Sequence, residues 1–205
     1  TVLSREGSAT HPPRDDRVSS IVDGCVSHPW GWSGPPTQDT MVDTQTPDTN
    51  WGDLDGFDLW DEDGEFSYGL LQFDLSVPIA DGLSVGNIFT AKLTFRSRGD
   101  TGTITASVID GPWDEMGVTW NTFRKDVGLG NPVGRYPLPL NWEELTEDRA
   151  MEFTIDVTDA VKEWLRGPDH GLALAINPAD GDTALLAVNS RESRPEPVLL
   201  VQWQP

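Results

Sequence analysis

The chain has 205 residues, of which 34 are acidic and 14 basic, for a formal net charge of −20 and a pI of about 4.2. That surface repels phosphate backbones and anionic lipid headgroups, which excludes nucleic acid and a membrane surface as partners. One cysteine, Cys25, excludes an intrachain disulfide framework, and no run of about 18 apolar residues exists to insert into a bilayer.

Residues 1–38 read as an irregular N-terminal arm packed on the domain that follows. Thr1–Ser4 is a short strand at most, and residues 1–7 carry no signal-peptide pattern, leaving a mature product or an excised domain open. His-Pro-Pro-Arg-Asp-Asp and Pro-Trp-Gly-Trp-Ser-Gly-Pro-Pro are loop chemistry, with Val18, Ile21, Val22 and Val26 as apolar anchors between them. From Val18 to Ala91 there is no Lys or Arg while thirteen Asp and Glu occur, so this stretch either attracts cations or stays well solvated.

Strands dominate residues 39–205. Thr40–Thr44 alternates briefly, and residues 48–65 form a pair of acidic loops around Phe57–Trp60. Leu70, Phe73 and Leu75 begin an apolar wall. In Ala91–Arg96, Leu93 and Phe95 point inward and Lys92, Thr94 and Arg96 outward; Ile104, Ala106, Val108 and then Met151, Phe153, Ile155 repeat the period of two. One helix is predicted after Asp156, whose carboxylate suits an N-cap, with Val157, Val161, Trp164 and Leu165 on one face and Gly167-Pro168 as the stop. Three further strands near 171–176, 184–189 and 198–203 finish the chain. With 20 Gly and 16 Pro, this is an all-β, antiparallel, jelly-roll-like β-sandwich with one short helix.

Several motifs recur in a fixed order: Asp39-Thr-Met-Val-Asp, Asn50-Trp-Gly, Leu70-Leu-Gln-Phe-Asp-Leu-Ser and Trp113-Asp-Glu…Val-Thr-Trp-Asn. Phe153-Thr-Ile-Asp-Val-Thr-Asp-Ala-Val-Lys-Glu-Trp, Gly171-Leu-Ala-Leu, Ser190-Arg-Glu and Pro197-Val-Leu-Leu-Val follow. In series they resemble the DNRLRE domain, over roughly Asp39–Trp203. The resemblance implies a secreted or cell-surface sandwich without catalysis of its own, in a family that includes modules binding alginate-type polysaccharides. The arm with Cys25, Trp30 and Trp32 lies outside that likeness.

Three sets of residues carry candidate chemistry. Asp53, Asp55, Asp58, Asp61 and Asp63 alternate around glycines, where a loop can fold carboxylates about a hard cation, so a structural Ca²⁺ is expected there, set against a solvated acidic turn. Asp39, Asp43 and Asp48 are secondary metal candidates, and His11, Cys25 and His28 a remote one. Trp30, Trp32, Trp51 and Trp60 lie in polar, Gly-rich surroundings and either stack on sugar rings or fold back as lids, while Trp120, Trp164 and Trp203 read as core. Arg191 and Glu192 either bridge loop to loop or offer donors and acceptors to hydroxyls.

No Ser-His-Asp order, Cys-His pair or phosphate loop has local support, so an enzyme is not expected. The reading is an extracellular carbohydrate-binding module taking a polysaccharide. Against a polyanionic glycan the charge of −20 requires a calcium bridge or a local basic patch around Arg96, Arg98, Arg124, Lys125 or Arg191, so a neutral glycan or a calcium-assisted contact is preferred. The alternative is a structural or adhesive subunit that self-associates through sheet edges or calcium, or a piece of a larger parent protein.

Overall fold

The computed structural model describes residues 30–100, 102–138, 151–179 and 183–204, which form a two-layered all-β body. Among these described residues eleven strands run in chain order: β1 Trp30–Gly34, β2 Gln38–Asp43, β3 Gly56–Glu62, β4 Glu65–Gln72, β5 Ile88–Gly99, β6 Gly102–Ile109, β7 Leu129–Pro137, β8 Met151–Asp156, β9 Leu172–Pro178, β10 Thr183–Asn189 and β11 Val198–Trp203. All pairings are antiparallel. The long β5 organises the first layer. β8 pairs along one side of it; β11 and β10 share the other side and carry β1 and β3 outside them. The second layer runs β2-β4-β9-β6-β7.

The inward positions predicted from alternation supply the core. Leu93 and Phe95 from β5, Ile104 and Ala106 from β6, and Trp203 from β11, each expected inside, are buried in one apolar cluster, joined there by Leu199 and Val201 of β11 and by Leu172, Leu174 and Ile176 of β9. Two departures have local causes. A bulge in β6 shifts its register against β7, so Ile109 is buried and Val108 only half-buried. Met151 opens β8 at the rim and is exposed.

The β3–β4 connection corrects the loop expected over residues 48–65. Asp63 and Gly64 both take positive φ, 52° and 85°, and close a two-residue hairpin that pairs Glu62 with Glu65 and Asp61 with Phe66. Asp-Gly between alternating segments is the sequence of a type I′ turn, whose twist matches that of the flanking strands. Trp30–Gly34, expected as loop, is also a strand. Its pairing with Leu199–Trp203 satisfies the backbone of a segment rich in glycine, and tertiary contact overrides local propensity. Residues 1–29 of the predicted arm, with His11, Cys25 and His28, lie outside the described residues.

The predicted helix is α3, given that α1 Ser76–Ala80 and α2 Trp120–Thr122 are short turns before it, the latter running into a π-turn at Phe123–Val127. α3 spans Thr158–Trp164 and buries Val161 and Trp164. The N-cap is Val157, which makes no side-chain cap bond, so the cap expected at Asp156 lies one residue later; Asp156 Oδ1 instead accepts from the Thr158 N–H (3.0 Å) and hydroxyl (2.6 Å) ahead of the helix. β7 has no clean alternation and carries Pro132 and Pro137, which an edge strand tolerates because its outer N–H groups have no partner to lose.

Gly171 enters β9 at φ 89°, and a Cβ there would lie 2.2 Å from the Leu71 carbonyl oxygen. Gly171→Ala therefore meets both backbone strain and backbone overlap. Urea unfolding is expected to show a loss of about 2 kcal/mol or more.

Candidate functional site

Two features stand out on the surface around β10, and they share a loop. The first is a cleft of about 410 Å³ on the outer face of the first layer. Registry explains it. Arg98, Ala187 and Asp58 sit side by side across β5, β10 and β3, with Leu185 and Trp60 paired in the next outward row. β10 pairs with β5 only through Leu186–Val188 before β11 takes its place. At that branch the Asn189 side chain substitutes for a strand: its Oδ1 accepts from the Arg96 N–H at 2.6 Å, and its Nδ2 donates to the Pro195 carbonyl. The resulting gap is lined by Asp55, Asp58, Arg96, Arg98, Asn189 and Arg194.

The second feature is a buried ionic clasp beneath the loop that follows β10. The Arg191 backbone N–H donates to Asp39 Oδ2 at 2.6 Å. Its guanidinium donates from Nη2 to both Glu115 carboxylate oxygens at 3.1 Å, from Nε to Glu192 Oε1 at 3.0 Å, and from Nη1 to the Thr37 carbonyl. Asp39 and Glu115 are buried, 2% and 8% exposed, and one carboxylate oxygen from each of Asp39, Glu115 and Glu192 lies within 4.8 Å of the other two. Asp39 Oδ1 has no hydrogen-bond partner among the described residues.

Burial pushes the Asp39 carboxyl up to about 7, with Glu192 and Glu115 adding to the rise and the Arg191 N–H and guanidinium opposing it. Glu115 is also raised, by burial first, with Arg191 holding it back. Because the folded value of Asp39 lies above its ordinary 3.8, the folded state binds more protons than the unfolded chain between the two values. The stability this proton contributes is full below 3.8 and is lost as pH rises through about 7. Asp169, raised to about 6 by burial against the opposing Gly171 N–H, behaves alike over a lower window. Urea midpoints in EDTA-treated buffer should therefore fall from pH 4 to 7.5. Asp39→Asn should remove the part of that fall above pH 6; an unchanged profile would exclude Asp39 as its source.

The residues expected from sequence are distributed unevenly over these features. Among the described residues, Asp53, Asp55, Asp58, Asp61 and Asp63 do not bring three carboxylate oxygens together; the acidic group that converges is Asp39, Glu115 and Glu192. The reason is the hairpin. Asp58 and Asp61 stand in β3 an odd number of residues apart and face opposite sides, and Asp63 occupies the turn. Asp55 and Asp58 instead line the cleft. Asp43 is buried and accepts from the Thr46 N–H (2.6 Å), the Thr46 hydroxyl (2.7 Å) and Trp51 Nε1 (2.8 Å), and Asp48 accepts from Asn121 Nδ2 (2.8 Å); both anchor loops.

Of the loop tryptophans, Trp51 is held by that Asp43 bond and half-buried. Trp32 is half-buried against the core, and Trp30, 48% exposed, leans on Trp203 with ring centres 6.4 Å apart. Trp60 alone stands on the outward row beside the cleft. Arg191 and Glu192 meet each other, as the bridging reading expects, and hold the loop to β2 and to Glu115. Asn189 and Arg194 were not singled out from sequence, and Arg96 and Arg98 were named only within a wider basic patch with Arg124, Lys125 and Arg191, because the cleft depends on which strand lies beside β5. Comparison with protein-family models found no match to this chain, and comparison with curated proteins found none either.

Proposed function

We propose that this protein is a non-catalytic carbohydrate-binding domain that takes a segment of polysaccharide in the cleft between β3, β10 and the loop after β10. The observation that carries this reading is the makeup of that cleft. Donors from Arg96, Arg98, Arg194 and Asn189 face acceptors from Asp55 and Asp58, with the half-exposed Trp60 in the adjoining row. Sugar hydroxyls need donors and acceptors close together, and the C–H faces of a pyranose ring need a flat apolar surface; this arrangement offers both. Arginine and asparagine bind without exchanging protons near neutral pH, which suits recognition over chemistry.

The resemblance to DNRLRE domains supports the same reading and, with it, a secreted or surface location. Three arginines in one cleft of a chain at −20 also supply the local basic patch that an acidic glycan would require, so neutral and uronic polymers are both fair candidates. Assembly through sheet edges is less favoured: β7, an edge of the second layer, carries two prolines that obstruct pairing with another chain. No described helix is long and apolar enough to cross a membrane.

The test is a glycan array carrying neutral and uronic oligosaccharides, followed by calorimetry on the hits. Saturable binding that Arg98→Ala weakens, with the oligosaccharide recovered intact, is the expected result. An array without hits, or a hit indifferent to Arg98, refutes it.

A further inference from the structure

We propose that Asp39, Glu115 and Glu192 hold one divalent cation of the calcium class beside the Arg191 guanidinium, and that this ion fixes the loop following β10. Two independent observations carry it. The three carboxylates each place an oxygen within 4.8 Å of the others, a spacing that fits oxygens at about 2.4 Å around one shared ion. Within that cluster Asp39 is 2% exposed and its Oδ1 has no partner among the described residues, which is costly for a buried acceptor unless something is bound to it.

Charge points the same way. Three carboxylates and one guanidinium sum to −2, which one divalent ion cancels. Arg191 occupies Glu115 and Glu192 Oε1 but reaches Asp39 only through its backbone N–H. An all-oxygen, carboxylate-rich set, with no nitrogen or sulfur ligand among the described residues, suits a hard cation, with waters completing six to eight ligands on the exposed Glu192 side. The ion would join β2, the Trp113–Val118 segment and the loop that supplies Arg194 and Pro195 to the cleft. The cation site stands by itself; only its effect on glycan affinity rests on the function proposed above.

Titration of EDTA-stripped protein with calcium chloride at pH 8, followed by calorimetry in the absence of any glycan, tests this. One saturable ion per chain is expected. Asp39→Asn should abolish it, and Glu192→Gln, at an exposed position that folding tolerates, should weaken it about ten-fold or more. Asp63→Asn, in the hairpin turn, should leave it unchanged. Amide exchange in residues 190–197 should slow when calcium is added. Absence of saturable binding, or equal binding by wild type and Glu192→Gln, overturns the proposal and leaves the glycan reading untouched.

Discussion

Replacing Arg191 with methionine is expected to destabilise the protein by about 3 kcal/mol, on the order of 10 °C in melting temperature. Methionine keeps the apolar stem but removes the only cation among the described residues facing Glu115 and Glu192, leaving Asp39 and Glu115 charged in a buried site. Stranding a buried charge is far worse than never having had the pair, because the desolvation remains and the attraction is gone. Arg191→Lys should recover part of the loss, since it restores charge without the fork that spans both Glu115 oxygens and Glu192. The effect should also depend on pH. Asp39 and Glu115 are both raised by burial, so at pH 5 a proton relieves what the arginine no longer does, and the penalty should be smaller than at pH 8. Urea unfolding of the three proteins at the two pH values checks this. Equal stability of wild type and Arg191→Met at pH 8 would mean the clasp contributes nothing.

Trp60→Ala should weaken glycan binding about thirty-fold, on the order of 2 kcal/mol, the scale of a tryptophan anchor in an interface. Trp60 stands one outward row along β3 from Asp58, beyond the cleft's own lining, where a glycan extending along β3 out of the cleft would meet it. Folding should be barely affected, because Trp60 is half-buried and lies outside the two apolar clusters. Trp51→Ala provides the contrast. Its indole donates to the buried Asp43, so its loss should lower stability and leave affinity intact. Calorimetry paired with thermal unfolding separates the two. Loss of affinity in Trp51→Ala alone would move the site to the Asn50–Gly52 loop.

Local pattern carried most of the fold. Alternation in Ala91–Arg96 and Ile104–Ala106 placed their inward faces correctly, and Trp203 lies in the core as read, because half-buried strands show a period of two in sequence. The helix face of Val161 and Trp164 was legible for the same reason, with a period near 3.6. Trp30–Gly34 and β7 were not, since glycine and proline obscure a strand whose existence depends on its neighbour. The loop reading of residues 48–65 passed over the hairpin signal of Asp63-Gly64, and among the described residues that hairpin leaves no three of its carboxylate oxygens together. Nor was the clasp visible as a unit: Arg191 meets Asp39 across 152 positions and Glu115 across 76, and no local spacing encodes such a meeting. The cleft likewise arises from the branch where β10 leaves β5, a property of topology.

Amide chemical-shift mapping with the tightest-binding oligosaccharide from the array addresses the central claim most directly. The account predicts saturable shifts at Asp58, Trp60, Arg96, Arg98, Asn189 and Arg194, with the sugar recovered unaltered. Shifts centred on β7 or the Asn50–Gly52 loop, or a cleaved oligosaccharide, would contradict it.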